Sequence, residues 1–443
     1  MSRAEAGHRA YAARGWLAVI SGLCLLLLLN ACGNGEPNSS ANQADAQAES
    51  QHWVSSWGAA TTAAYPISYN TDAATRLNTP GVEHTFRLIA RTTLGGRAIR
   101  LRLSNQAGLL PLSIGAVSVG LRDAVATHAA SGKAAAPGAA IKPGSSRIVT
   151  FSGARSVVIP AGAQLISDPI ALPTDAGSDV AVSLYLPGIS LTPSVHAQAF
   201  QTNYVTPQGA GDASSDDSGA AFTEQNSAVP VLEGIDVLAP KTAGAIIVLG
   251  DSLSDGVGST FDGHDRWPDQ LAGRLQKAGI ARSVVNEGLT GNSIDCPLGL
   301  PEDGPNAVDR LDRDVLSKSG ISAVFLFEGT NDLANFCNAA QLKAAITEVV
   351  ARIHAKGIKV IGATLIPRID LHFSPLAERD RLVINEWIRT GGVFDHVVDF
   401  DAAVRAPDGG WDPQYDSGDQ VHLNPAGYRK LAEAVDLSVL ARR

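Results

Sequence analysis

From Trp53 to about Val237 the apolar residues fall in short or alternating runs broken by Gly, Pro, Asn and Asp. Alternation places successive side chains on opposite faces of a pleated strand, so strands are expected at Phe86 to Thr93, Ala98 to Leu103, Ser113 to Leu121, Ser146 to Phe151, Ser156 to Ile159 and Asp179 to Leu186. Few of the connections between them carry a helix-length amphipathic pattern. That grammar predicts an all-β sandwich or jelly-roll-like domain over residues 52–240. The Ala/Gly-rich stretch around Ala129 to Ala140 reads as a loop.

After Leu238-Ala239-Pro240 the pattern changes to continuous apolar runs spaced by helix-length segments, the mark of parallel βαβ units. Strands are expected at Ala245 to Leu249, Ser283 to Asn286, Ala323 to Phe327, Lys359 to Leu365 and His396 to Phe400. A helix is expected from Trp267 to Lys277, opened by Trp267-Pro268 with the indole in the core. Residues 241–443 therefore read as a three-layer α/β/α domain around a parallel sheet.

The N-terminus changes the picture of where the chain works. Arg3, Arg9 and Arg14 precede an apolar run from Trp16 to Leu29, which is the layout of a signal peptide over residues 1–31. An uncleaved anchor is the alternative, although the run is short for a span. Leu29-Asn30-Ala31-Cys32 resembles the bacterial lipobox, and the resemblance implies a diacylglycerol on Cys32 as the mature N-terminus; an ordinary cleavage near Ala31 is the other option. Gly33 follows where an aspartate would mark inner-membrane retention, so in a Gram-negative organism the outer membrane is expected. Residues 32–51 are Asn, Ala, Ser, Gln and acidic residues with little to bury, a flexible tether.

Cys24 lies inside the apolar run, and beyond Cys32 only Cys296 and Cys337 remain. Export would put both in an oxidising compartment, so a disulfide between them is expected, with two buried thiols as the alternative. Neither has a second cysteine or histidine at ligand spacing, which argues against a metal. The 443 residues are 45% hydrophobic and 18% charged, enough for sizeable cores, and a formal charge of -9 gives no footprint for nucleic acid.

In an open parallel sheet, ligands bind beyond the carboxyl ends of the strands, which singles out four segments. Gly250-Asp251-Ser252-Leu253-Ser254-Asp255-Gly256 follows the first parallel strand and puts a serine where a helix should start, its hydroxyl open to substrate and its N–H free for an oxyanion. Asn286-Glu287-Gly288-Leu289-Thr290-Gly291-Asn292 follows the second, with Gly291 as a second N–H donor. Glu328-Gly329-Thr330-Asn331-Asp332 follows the third, where the Asn331 amide can face developing negative charge. Asp419-Gln420-Val421-His422 precedes the final helix, and its spacing can bring carboxylate to imidazole, leaving the other ring nitrogen for the Ser252 proton. Taken singly, each segment also reads as turn glycines, a helix cap or a surface histidine.

Together and in this order the segments resemble the SGNH, or GDSL-type, hydrolase family over about Ala243 to Leu440. The resemblance implies Ser252 as nucleophile, with His422 and Asp419 as base and orienting acid. It implies an oxyanion hole of Ser252, Gly291 and Asn331, and no cofactor or metal. Ser254 stands where threonine is frequent and Gln420 where glycine is common. No Gly-x-Ser-x-Gly elbow occurs, which argues against an α/β-hydrolase.

The implied reaction is carboxylic ester hydrolysis through an acyl-enzyme. The substrate is a small-molecule or glycan ester: an O-acetylated carbohydrate, a short-chain ester or a lipid ester. A non-catalytic surface lipoprotein binding glycan through the sandwich is the rival. Asp295, Asn335, Phe336 and Asn338 cluster around the cysteines, so a Cys296–Cys337 bridge would tie two oxyanion loops together. His264, Asp265 and Arg266 could line the cleft or form an exposed polar loop.

Overall fold

The computed structural model describes residues 50–63, 83–123, 138–188, 193–297, 303–369 and 375–441. The signal segment, Cys32, the tether up to Glu49 and residues 129–137 of the Ala/Gly-rich loop lie outside the described residues. The described residues form one compact unit.

The N-terminal part of that unit is antiparallel. One sheet runs Gln51–Gly58, Leu232–Pro240, Ile99–Ser104, Gln164–Ile166. The larger runs Glu224–Asn226, Asn203–Val205, His84–Arg91, Asp179–Leu186, Ala116–Leu121, Arg147–Ile148. Leu88, Val119 and Val182 from the second sheet share one buried cluster with Leu101, Ile235 and Val237 from the first. Apolar residues thus alternate inward on facing sheets, as the pattern predicted. The single strand expected over Ser113 to Leu121 divides at Gly115 into Leu112–Ile114 and Ala116–Leu121, which pair with different neighbours.

The C-terminal part holds a five-stranded parallel sheet in the order Arg282–Gly288, Gly244–Gly250, Ile321–Phe327, Lys359–Ala363, His396–Val398. Two of the strands stop earlier than expected. Past Ala363, Leu365 N–H turns to the Asn385 side chain at 2.7 Å. Past Val398, Asp399 caps the helix Phe400–Val404 by accepting from Ala402 N–H at 3.0 Å. The helix Trp267–Lys277 forms with the expected limits, and Trp267 is buried against Phe325 and Phe400 at ring distances of 4.8 and 5.4 Å.

Alternation along Gly244–Gly250 sends Ile246 and Val248 toward that aromatic cluster. Ala245, Ile247 and Leu249 point the other way, into a cluster continuous with the core of the β-sheets. The sheet edge at Arg282–Gly288 is also covered from the β-region. Thr93 Oγ1 bonds both Val284 N–H and Val284 O at 3.0 Å, and Ser283 Oγ donates to Ser55 O at 2.5 Å. An uncovered edge would present unpaired backbone groups to other chains.

Candidate active site

Strand Gly244–Gly250 ends at Asp251, whose side chain accepts from Leu253 N–H at 2.9 Å and so caps the short helix Ser252–Asp255. Ser252 occupies the first turn, and its N–H has no acceptor among the described residues. The helix sits close against the end of the second strand: a Cβ at Gly288 would lie 2.3 Å from Asp255 N. Only glycine permits that approach.

His422 Nε2 lies 2.8 Å from Ser252 Oγ, and His422 Nδ1 lies 2.6 Å from Asp419 Oδ2. The loop that carries both is held by its own short-range bonds. Asp419 Oδ1 accepts from the N–H groups of Val421 and His422 at 3.0 and 2.8 Å. Asp416 Oδ1 accepts from Gly418 and Gln420 N–H, both at 2.9 Å. Gln420 has φ of 62°, the left-handed region that glycine favours, which accounts for the glycine common there in the family it resembles. Asn424 then caps the helix Pro425–Ala434. Burial disfavours the Asp419 carboxylate, but the hydrogen bonds from His422 and Val421 outweigh it and hold the pKa down at about 2. Asp419 is therefore an anion at neutral pH, able to keep the imidazole turned toward Ser252.

The two further donors arrive from neighbouring strand ends. Gly291 has φ of 83°, and its N–H has no acceptor among the described residues. Asn331, in the helix Thr330–Ala334, donates from Nδ2 to Asn292 O at 2.8 Å and accepts at Oδ1 from Arg368 at 3.3 Å. These bonds fix which end of the amide is NH₂ and leave it one further hydrogen to donate. The Cys296–Cys337 disulfide forms, with an S–S distance of 2.12 Å, and joins the Gly291 segment to the Asn331 segment. Asp332 reinforces the link by accepting from Ile294 and Asp295 N–H at 2.9 and 3.1 Å. Asn338, expected near the bridge, is a helix cap for Ala339–His354, while Phe336 stands 80% exposed.

Beneath the serine lies a set of buried charges that sequence reasoning missed. Arg310 donates to Asn292 Oδ1 at 2.8 Å, Glu287 O at 2.8 Å and Gly250 O at 3.0 Å, and faces Asp314 and Glu328 at 3.2 and 3.4 Å. One guanidinium thus holds the backbone at the ends of two strands and the residue that orients Asn331. Burial pushes Glu328 well above the usual carboxylate range. Burial also lifts Asp251 to about 7, aided by Asp332 and opposed by Leu253 N–H, Arg368 and Arg310. Nothing in the run Val308-Asp309-Arg310-Leu311-Asp312 marks Arg310 as internal, since apart from Asp314 its partners come from elsewhere in the chain.

His264, Asp265 and Arg266 are partly buried rather than an exposed polar loop. His264 and Arg266 line a small cavity of about 30 Å³ together with His196 and Asp255. Among the described residues no group of three or more His, Cys, Asp or Glu could hold a metal ion.

Residues 248–430 match the model of the GDSL-like Lipase/Acylhydrolase family. No curated protein sequence matches the chain. Similar solved structures include a G-D-S-L family protein from Desulfitobacterium hafniense DCB-2, 20% identical, covering 43% of this chain and 96% of its own with a TM-score of 0.35. Another is a carbohydrate acetylesterase family member from Sinorhizobium meliloti, 17% identical, covering 44% and 97% at a TM-score of 0.35. A third is the psychrotrophic esterase EstA from Pseudoalteromonas sp., 15% identical, covering 43% and 93% at 0.34. With a parallel sheet flanked by helices and a family match spanning the serine, glycine, asparagine and histidine segments, the C-terminal part of this chain is a GDSL-like lipase/acylhydrolase domain.

Proposed function

We propose that the protein is a serine carboxylic ester hydrolase in which Ser252 attacks the ester carbonyl while His422 Nε2 takes the hydroxyl proton and Asp419 holds the imidazole. The negative charge on the tetrahedral intermediate falls to Ser252 N–H, Gly291 N–H and the Asn331 amide. His422 then returns the proton to the leaving alcohol, and water repeats the attack on the acyl-enzyme. The observation that carries this reading is the continuous Ser252–His422–Asp419 hydrogen-bonded chain, at 2.8 and 2.6 Å, inside the family-matched region.

The expected substrates are O-acetylated carbohydrate, short-chain esters or lipid esters; acetyl esters suit the first two. Purified protein should hydrolyse p-nitrophenyl acetate, and Ser252→Ala should lower kcat by on the order of a million-fold. A fluorophosphonate probe should label Ser252. Undiminished hydrolysis by Ser252→Ala, or label on another residue, would overturn the assignment. Comparing acetylated xylan with longer-chain p-nitrophenyl esters then separates the carbohydrate substrate from the lipid one.

We also propose that the chain is exported and tethered to the membrane by a lipid on Cys32, on the strength of Leu29-Asn30-Ala31-Cys32 after a basic, then apolar, leader. Detergent-phase partitioning of the full-length protein should vanish in Cys32→Ser. Equal partitioning of the two would remove the lipid from the account.

A further inference from the structure

Three residues past the serine, Asp255 is 2% exposed and belongs to no part of the proton relay. Its Oδ2 accepts from Thr290 N–H at 3.0 Å and Thr290 Oγ1 at 2.7 Å, one residue before the Gly291 donor. Its Oδ1 faces His196 Nε2 at 3.1 Å. His196 comes from the antiparallel β-region, on the strand Ser194–His196, and is itself 4% exposed.

The remaining contacts of that ring bear on its charge. Nδ1 lies 2.8 Å from Ala60 O, and Nε2 lies 3.2 Å from Gln198 O as well as facing Asp255. Carbonyl and carboxylate oxygens only accept, so with Asp255 ionised these contacts favour hydrogen on both ring nitrogens, the imidazolium form. Burial works against that charge, but Asp255 and the Ala60 carbonyl overcome it and raise the pKa above its ordinary value, with Arg266 opposing. The other ionisable groups nearby are His264, whose pKa burial lowers, and Arg91, which line the same cavity, Arg91 being paired with Asp179 at 2.7 Å. The adjoining strands Thr62–Ala63 and Val229–Pro230 bring none.

We infer that His196 is a positioning residue for the oxyanion hole, acting from the β-region through Asp255 on both backbone donors, Ser252 N–H and Gly291 N–H. Asp255 lies on the helix that starts with Ser252, and its other oxygen grips the residue next to Gly291. The His196 ring fixes Oδ1 of Asp255, which keeps Oδ2 aimed at the two Thr290 donors. The β-region is then a working part of the hydrolase rather than a cover or a separate glycan-binding module. This rests on the esterase reading above, and the two fail separately: label on Ser252 and its loss in Ser252→Ala test that reading alone.

The experiment compares wild type, His196→Gln and His196→Leu on p-nitrophenyl acetate, with melting temperature and fluorophosphonate labelling rate measured alongside. Loss of a donor's alignment should lower kcat by about 100-fold in His196→Leu, with KM nearly unchanged. His196→Gln, which keeps one N–H toward Asp255, should recover part of the loss. Labelling should slow in parallel, because phosphonylation uses the same hole. Raised above its ordinary value, the His196 pKa gives a contribution that is full at low pH and fades as pH rises through the folded value. Wild-type kcat should therefore carry an alkaline limb that His196→Gln lacks. Wild-type kcat in either folded variant, a loss confined to KM, or an alkaline limb that persists in His196→Gln would overturn the inference. Should His196→Leu fail to fold, His196→Gln and the wild-type pH profile decide.

Discussion

Ser252 lies on a helix whose residues are all buried, tied down by groups from distant parts of the chain. His422 sits opposite on a loop whose Asp419 partner is 47% exposed and whose bonds run mostly within residues 415–424. The nucleophile side is braced by Arg310 from below, by the disulfide and Asp332 between the donor segments, and by His196 from the β-region. The proton-transfer side is a turn before a capped helix, with one long-range tie from Ile369 N–H to Gln420 O at 2.7 Å. The contrast has a physical basis. A proton relay needs one short contact and a rotatable ring, which a turn can supply. An oxyanion hole needs three donors from three strand ends aimed at one point, and only long-range bracing fixes that.

The largest effect that could break this contrast is at the local side. His422→Ala should reduce kcat by about 10⁴-fold or more while leaving the melting temperature close to wild type, as measured by ester hydrolysis and calorimetry. A large fall in melting temperature would show that the turn is load-sharing with the core after all.

On the braced side, replacing Cys296 and Cys337 together with serine should cost about 2–4 kcal/mol in denaturant unfolding and lower kcat as well, because the bridge joins the Gly291 and Asn331 segments. Unchanged kcat would separate the bridge from catalysis and leave it a staple only.

The smallest effect sharpens the picture of the buried charges. Asp251 has a folded pKa near 7 against an ordinary value of 3.8, so the folded state holds a proton that the unfolded state has released over that interval. Stability is thus lost as pH rises from 3.8 to about 7. Asp251→Asn keeps an acceptor for Leu253 N–H without the charge, so its melting temperature should gain on wild type between about pH 4 and about pH 8. A constant difference across that range would show that Asp251 ionises freely in the fold.

Much was legible in the sequence where the information is short-range. Asp419 and His422 are three residues apart, and their carboxylate–imidazole contact forms at short range, in a turn tied to the rest of the fold by Ile369 N–H donating to Gln420 O at 2.7 Å. Ser252 was singled out because an apolar run leads into Gly250-Asp251-Ser252-Leu253, and Gly291 and Asn331 because they follow the next two strands in the same way. The parallel sheet followed from five buried runs at helix-length spacing, and the single remaining cysteine pair forms its bridge.

Arg310, Asp255 and His196 were not legible. Arg310 and Asp255 are of types usually found at the surface, and the role of each of the three depends on partners up to 60 residues distant, as in Arg310 to Gly250, or in another region altogether. The same holds for Leu232–Pro240, which joins the strands at Gln51–Gly58 and Ile99–Ser104, and for the core that the β-sheets share with the parallel sheet.

By itself, the sequence singled out the candidate chemistry: a serine, a histidine and a carboxylate, in the Gly-Asp-Ser-Leu setting that pointed to the acylhydrolase family. Only the tertiary structure decided how the Ser252 helix and the Gly291 turn are held to each other, and that the β-region takes part through His196. Reactive groups are announced by residue type and local turn grammar. Their alignment is a property of contacts between segments far apart in the chain, which no local pattern encodes.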